Sequence, residues 1–244
     1  MTCAVSVSVA LVLTFSAERG FCSLILDGSV ALKGNGIRSA PALLTMRSPG
    51  YSSTASGCVG WDGLFDVTGE PACMDAASWG GDELTGASQT HTRALSEIGI
   101  SSAADLRILF LPLEPSGGGI TVNDLLVRVF SPDGTPLYTS GPFTLLAVES
   151  PAPGHPAVFV FRLDEAGLAG AANGAFSNPF NRIGLAATVT YAGGGPERFL
   201  AASAESLDRD PPGETPEPAP AWLVGLGLLV AVAAHRSRHR GSCR

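Results

Sequence analysis

Turn chemistry recurs along this chain at a spacing that leaves little room for long helices. Between residues 21 and 204, short apolar segments are separated by Gly, Pro and Asp-Gly breaks, roughly every 8–12 residues, the interval of a β-sandwich or barrel. Gly and Pro supply 30 and 18 of the 244 residues, and both interrupt helices. Yet 45% of the residues are apolar, enough to bury a core and too many for a disordered polyampholyte. The length accommodates one domain with terminal extensions.

The segments themselves read as strands. Residues 22–26 and 29–32 flank Asp27-Gly28, a turn pair, and 106–111 end at Pro112. Residues 120–122 lead into 125–130, and Ser131 to Pro136 places Pro and Asp-Gly where a hairpin wants them, before 137–139 return. Further strands are expected at 143–148, 157–163 and 183–191. Two short helical pieces interrupt the pattern. Ser102 to Asp105 has capping-box form, and 164–172 begins with acids and ends near Asn173-Gly174. No Gly-rich loop joins a strand to a helix, which argues against a doubly wound nucleotide fold. The expected class is all-β: a single β-sandwich, jelly-roll or Ig-like, with one or two short helices and a body over 18–204.

Charge is unevenly placed. Of 15 basic and 22 acidic side chains, Arg236, Arg238, Arg240, Arg244 and Glu217 lie beyond residue 215, so the remainder carries 11 against 21, a net of −10. An acidic body without a basic run argues against nucleic acid as a partner. The first 17 residues hold no charge up to Ser16 and read as a signal peptide, with Thr14 and Ser16 at the −3 and −1 positions of a cleavage site. No Lys or Arg precedes the apolar stretch, and Val5, Val7 and Val9 alternate with serines, so a buried N-terminal strand is the competing reading.

At the other end, 205–220 is a Pro- and acid-rich linker expected to be extended. Residues 221–234 follow without a charge, including Trp222, Leu223, Leu226, Leu228, Leu229 and Val230. As a single membrane helix, 14 residues span roughly 21 Å against a ~30 Å hydrocarbon core. Such a segment is a marginal anchor, needing snorkelling arginines or a thinned bilayer. Arg236, Arg238 and Arg240 come directly after and favour the cytoplasmic side, which puts the body outside the cytoplasm, in agreement with an export signal.

Pro216-Glu217-Pro218, the apolar helix with Trp222 near its start, and the arginine cluster together resemble the PEP-CTERM sorting signal of Gram-negative bacteria, here over 216–240. The resemblance implies export through the Sec translocon and transient holding in the inner membrane. It also implies recognition by an exosortase, cleavage near Pro216-Glu217-Pro218, and release to the cell surface or the extracellular polysaccharide matrix. His235 and His239 interleave the arginines and 241–244 extend past them, two departures that leave this order intact. Segments 95–100, 120–125, 137–141 and 181–185 resemble a β-sandwich found in PEP-CTERM surface proteins, which implies architecture only.

Chemistry in the body is sparse. Of five cysteines, Cys3 and Cys243 would leave with the ends. Cys58 and Cys73 flank a Gly- and acid-rich loop and are the expected disulfide, which would close about 16 residues for roughly 3 kcal/mol in the chain-entropy picture. Cys22 is then a small buried hydrophobe, and neither a Cys-x-x-Cys nor a neighbouring His suggests zinc. His91 and His155 sit in polar stretches with no nucleophile elbow, so no catalytic residue is assigned. Asp62, Asp66, Glu70, Asp75, Asp82 and Glu83 cluster. Such loops can wrap Ca²⁺ or simply be solvated, and the EF-hand spacing is missing. No metal or other cofactor is assigned. Trp61 and Trp79, with Tyr51 nearby, suit either sugar stacking or a core.

The expected function is a non-enzymatic surface or matrix protein that associates with exopolysaccharide. A permanently anchored carbohydrate-binding module and a secreted hydrolase are the competing readings.

Overall fold

The computed structural model describes residues 24–31, 37, 40–50, 52–69, 81–113, 119–141, 146–149, 157–171 and 174–208. The signal-peptide stretch, the linker beyond residue 208, the sorting tail, Cys22, Cys73, Trp79, Glu70, Asp75 and His155 lie outside them.

Strands dominate the described residues and form two antiparallel sheets. The first contains β1 (Leu24–Ala31), β2 (Ala42–Met46), β6 (Leu106–Leu111), β10 (Ala157–Leu163) and β12 (Glu197–Ser203), in the order β1-β10-β6-β12-β2. The second contains β3 (Thr54–Trp61), β4 (Asp66–Thr68), β7 (Gly119–Phe130), β8 (Pro136–Thr139) and β11 (Arg182–Thr190), in the order β4-β3-β11-β7-β8. Two further strands attach to it, β5 (Arg93–Ala94) on β11 and β9 (Leu146–Glu149) on β7. The pairing is nested: β2 with β12, β3 with β11, β6 with β10, β7 with β8, all antiparallel. Successive pairs fall in alternate sheets, as if one long hairpin had been wrapped into two layers.

A single core draws on both sheets. Ile183, Leu185, Ala187 and Val189 of β11 alternate inward, facing Phe110, Phe161 and Phe199 of the first sheet within one buried cluster. Phe110 and Phe199 stack at 4.7 Å between ring centroids, and burying each such ring contributes about 1.5–3 kcal/mol. In β7 the inward set is Ile120 and Val122, then Leu125, Val127 and Val129. The break in period falls where the β7–β11 register shifts between Thr188 and Val189, because a bulge reverses the face of everything beyond it.

The outer face of the first sheet is also apolar. Leu109, Val158, Val160, Leu200 and Ala202 form a second buried cluster with Ile37, and Leu207 packs on it. Strands β10 and β12 therefore read as apolar runs without alternation, since both faces are covered.

Three helices are described: α1 (Leu95–Ile98), α2 (Glu165–Ala171) and α3 (Ala204–Asp208). The expected helix at 164–172 corresponds to α2. The Ser102 side chain makes no capping bond, and the residues after it form a 3₁₀ turn, Ala103–Asp105. Helix α3 occupies the first residues assigned to the linker. The Ser203 hydroxyl accepts the Ser206 N–H at 3.2 Å, and Leu207 is drawn onto the outer apolar cluster. The expected turn at Asp27-Gly28 is instead a bulge within continuous β1. Asp27 is held there by Arg162 Nε at 2.8 Å and Arg107 Nε at 3.3 Å, partners from β10 and β6 that no local pattern reveals.

Candidate functional site

One end of the second sheet is forked. Strand β3 pairs with β11 from Thr54 to Val59 and then leaves it. Gly60 and Trp61 continue only with β4, opposite Val67 and Asp66, while β5 takes the vacated place beside Ile183 and Arg182 of β11. At the crotch sits Gly184, where a Cβ would overlap the Val59 carbonyl oxygen and lie 2.9 Å from Phe130 Cε2.

A polar relay ties the prongs together. Asp66 Oδ1 accepts the Thr92 backbone N–H at 2.9 Å and the Thr92 hydroxyl. Thr92 in turn accepts from Arg182, with Nε 2.8 Å from its hydroxyl and Nη2 2.9 Å from its carbonyl. The Arg182 guanidinium lies 4.3 Å from the centroid of the Trp61 ring, a cation–π placement worth about 0.5–1 kcal/mol when exposed. Trp61 Nε1–H donates to the Pro132 carbonyl at 2.9 Å. Asp66 Oδ2 and His91 Nδ1 are 3.0 Å apart. A carboxylate only accepts, so Nδ1 carries the shared hydrogen and the other ring nitrogen is Nε2. That Nε2 is buried, and among the described residues no group bonds to it. Among the described residues no hydroxyl or thiol meets Nε2, and the partners of the Asp66 and His91 side chains belong to the fork's hydrogen-bond relay.

Two turns project from the same end and interlock. The β3–β4 turn (62–65) and the β7–β8 turn (131–135) meet so closely that a Cβ on Gly63 would lie 2.5 Å from the Asp133 carbonyl oxygen. One on Gly134 would lie 2.5 Å from that of Asp62. Both glycines have positive φ, 101° and 90°, so only glycine serves both needs. Asp62 Oδ1 accepts the N–H groups of Leu64 and Phe65, at 2.8 and 2.7 Å. Those bonds, the Phe65 amide first, hold its carboxyl below the ordinary aspartate value. Asp133 is likewise lowered, by the Ser131 hydroxyl and then the Thr135 amide. The second oxygen of each carboxylate accepts no hydrogen bond among the described residues. Leu64 at 76% and Phe65 at 69% exposure stand in the same turn as Asp62, and Phe180, at 69%, is exposed on the segment that enters β11. Phe180 is two residues before Arg182, the first residue of β11.

The acidic stretch is largely occupied by the fold. Asp82 Oδ2 accepts the Ser56 N–H at 2.8 Å. Glu83 accepts the Cys58 N–H at 2.7 Å and the Gly81 N–H at 2.7 Å. Asp66 serves the fork and Asp62 its own turn. Among the described residues no group of three or more His, Cys, Asp or Glu side chains is arranged to hold a metal. Cys58 is disulfide-bonded, with a partner outside the described residues. Trp61, expected as a sugar contact, has one ring face occupied by Arg182 and its N–H used by Pro132. The residues that sequence reasoning missed are Thr92, Arg182, Phe65 and Phe180. The one local signal was an apolar Leu64-Phe65 pair inside a turn.

The chain matches no family model, no curated protein and no solved structure. Among the described residues no helix is long and apolar enough to cross a membrane, and 221–234 lies outside them.

Proposed function

We propose that this chain is an exported, non-enzymatic surface or extracellular-matrix protein whose C-terminal tail is recognised and removed by an exosortase. The observation that carries the reading is the order of parts along the sequence. A charge-free apolar N-terminus is followed by an acidic β-rich body, a Pro-rich linker, Pro216-Glu217-Pro218, 14 uncharged residues and an arginine cluster. The disulfide at Cys58 supports an oxidising destination, where such bonds form and persist; Cys73 is its proposed partner. The nested strand pairing favours a jelly-roll over an Ig-like sandwich, because pairing first with last and so on inward, with successive pairs in alternate layers, is the double Greek-key wrap. A wrapped two-layer body with two interlocked turns at one end suits adhesion to a polymer matrix, and exopolysaccharide is the proposed partner.

The test is to express the full chain in a Gram-negative host encoding an exosortase and to sequence the C-terminus of the secreted product. The expected terminus lies before Trp222. Mature surface protein that retains Trp222 and Arg240 would overturn the processing and favour a permanent anchor.

A further inference from the structure

The geometry points to the fork end of the second sheet, from which the segments carrying Asp62, Leu64 and Phe65, then Asp133, and then Phe180 all leave, as a binding surface for a neutral or amino-bearing polysaccharide. This rests on the matrix-protein reading above and adds the site and the class of polymer.

Convergence follows from the topology. Arg182 pairs with Phe130 and Ala94 across β11 and lies over Trp61 at the end of β3. The 62–65 turn, the 131–135 turn and the segment ending at Asn181 therefore leave the sheet together. Three large apolar side chains two-thirds or more exposed at one end call for an explanation, since scattered exposure is ordinary but clustered exposure marks contact.

Charge selects among the occupants. A sugar ring offers an apolar C–H face for an aromatic ring and hydroxyl or ammonium donors at its edge. The Asp62 and Asp133 oxygens left free of the turn are acceptors for such donors. Both carboxylates stay ionised well into acid because the turns hydrogen-bond the charged form. A bilayer would have to desolvate them. A second copy docking end to end would set like charges against like, since a two-fold contact presents the same patch twice. A uronic-acid polymer would meet the same repulsion, reinforced by the net acidic body. The interlocked glycines and the Arg182–Trp61 stack fix the turns beforehand, which lowers the ordering cost of binding.

The experiment uses the full-length chain and isothermal titration with four hexasaccharides: β-1,4-glucosamine, its N-acetylated form, cellohexaose and polymannuronate. Saturable binding is expected for at least one of the first three and none for polymannuronate. The double variant Phe65→Ser/Phe180→Ser, two exposed positions that leave the core intact, should weaken binding at least tenfold. The pair Asp62→Asn/Asp133→Asn, which keeps an acceptor for each turn, should weaken glucosamine binding at least threefold and cellohexaose binding less than twofold. Any one of four results overturns the proposal: no binding to the first three probes, equal binding to polymannuronate, unchanged binding in the aromatic variant, or Phe65- and Phe180-dependent attachment to phosphatidylcholine vesicles. Normal export and trimming with no sugar binding would remove this site alone. Sugar binding by a protein retained in the cytoplasm would remove the export reading and leave the site.

Discussion

Gly184→Ala is the sharpest probe of the fork. The added methyl would overlap the Val59 carbonyl oxygen and stand 2.9 Å from Phe130 Cε2, where carbon atoms prefer roughly 3.5 Å or more. Something must yield by roughly 0.6 Å. Neither neighbour is free to do so. The Val59 backbone is the last rung of the β3–β11 ladder, and Phe130 is buried and paired with Arg182. Overpacking of this kind costs about 1–3 kcal/mol, and losing one rung adds about 0.5–1.5 kcal/mol. The expected loss is therefore about 2–4 kcal/mol, or a Tm lower by roughly 5–15 °C for a chain of this size. The assay is differential scanning calorimetry of the full-length protein beside Gly50→Ala. At Gly50 nothing lies within 4 Å of the added methyl, so that control should stay within about 0.5 kcal/mol of the parent. A Gly184→Ala melting point matching the control would refute the packing argument, and with it the reason β3 parts from β11.

Glu83→Ala removes the acceptor of two backbone N–H groups, Cys58 and Gly81. It should lower the urea midpoint by an amount equivalent to about 1–3 kcal/mol, with Glu83→Gln in between. Tyr191 has φ of 64°, a left-handed conformation that costs a bulky residue about 1–2 kcal/mol. Tyr191→Asn, better tolerated there, should raise Tm by roughly 1–4 °C. Non-reducing peptide mapping should recover Cys58 joined to Cys73, and a Cys58–Cys22 cross-link would defeat that pairing. For Asp62 the folded carboxyl titrates below its unfolded value, so its contribution is present above the unfolded value and is lost as pH falls through the folded one. The Leu64 and Phe65 amide shifts should then titrate with a midpoint below the ordinary aspartate range, and Asp62→Asn should abolish the step.

The layers of the fold were legible wherever the cause was local. Apolar runs bounded by Pro, Gly and Asp marked β6, β7, β10 and β11, and Ser131 to Pro136 marked its hairpin with the right residues at the right positions. Asp27-Gly28 carried the same signal and became a bulge, because its fate is set by Arg107 and Arg162 from distant strands. The fork was invisible for the same reason. Asp66, Thr92 and Arg182 are separated by 26 and 90 positions, and nothing in their own neighbourhoods announces the meeting. Asp82 and Glu83 looked like a solvated or cation-binding loop, since the unmet amides they serve belong to a strand 25 residues or so upstream.

Those two carboxylates also guard an open edge of the second sheet. Beyond β4, the outward N–H groups of Ser56 and Cys58 would be an open row of donors, a template on which another polypeptide could add itself as a strand. Asp82 and Glu83 already hold those donors and set negative charge along the row. The molecule thereby carries its own stopper against stacking strand to strand with its copies.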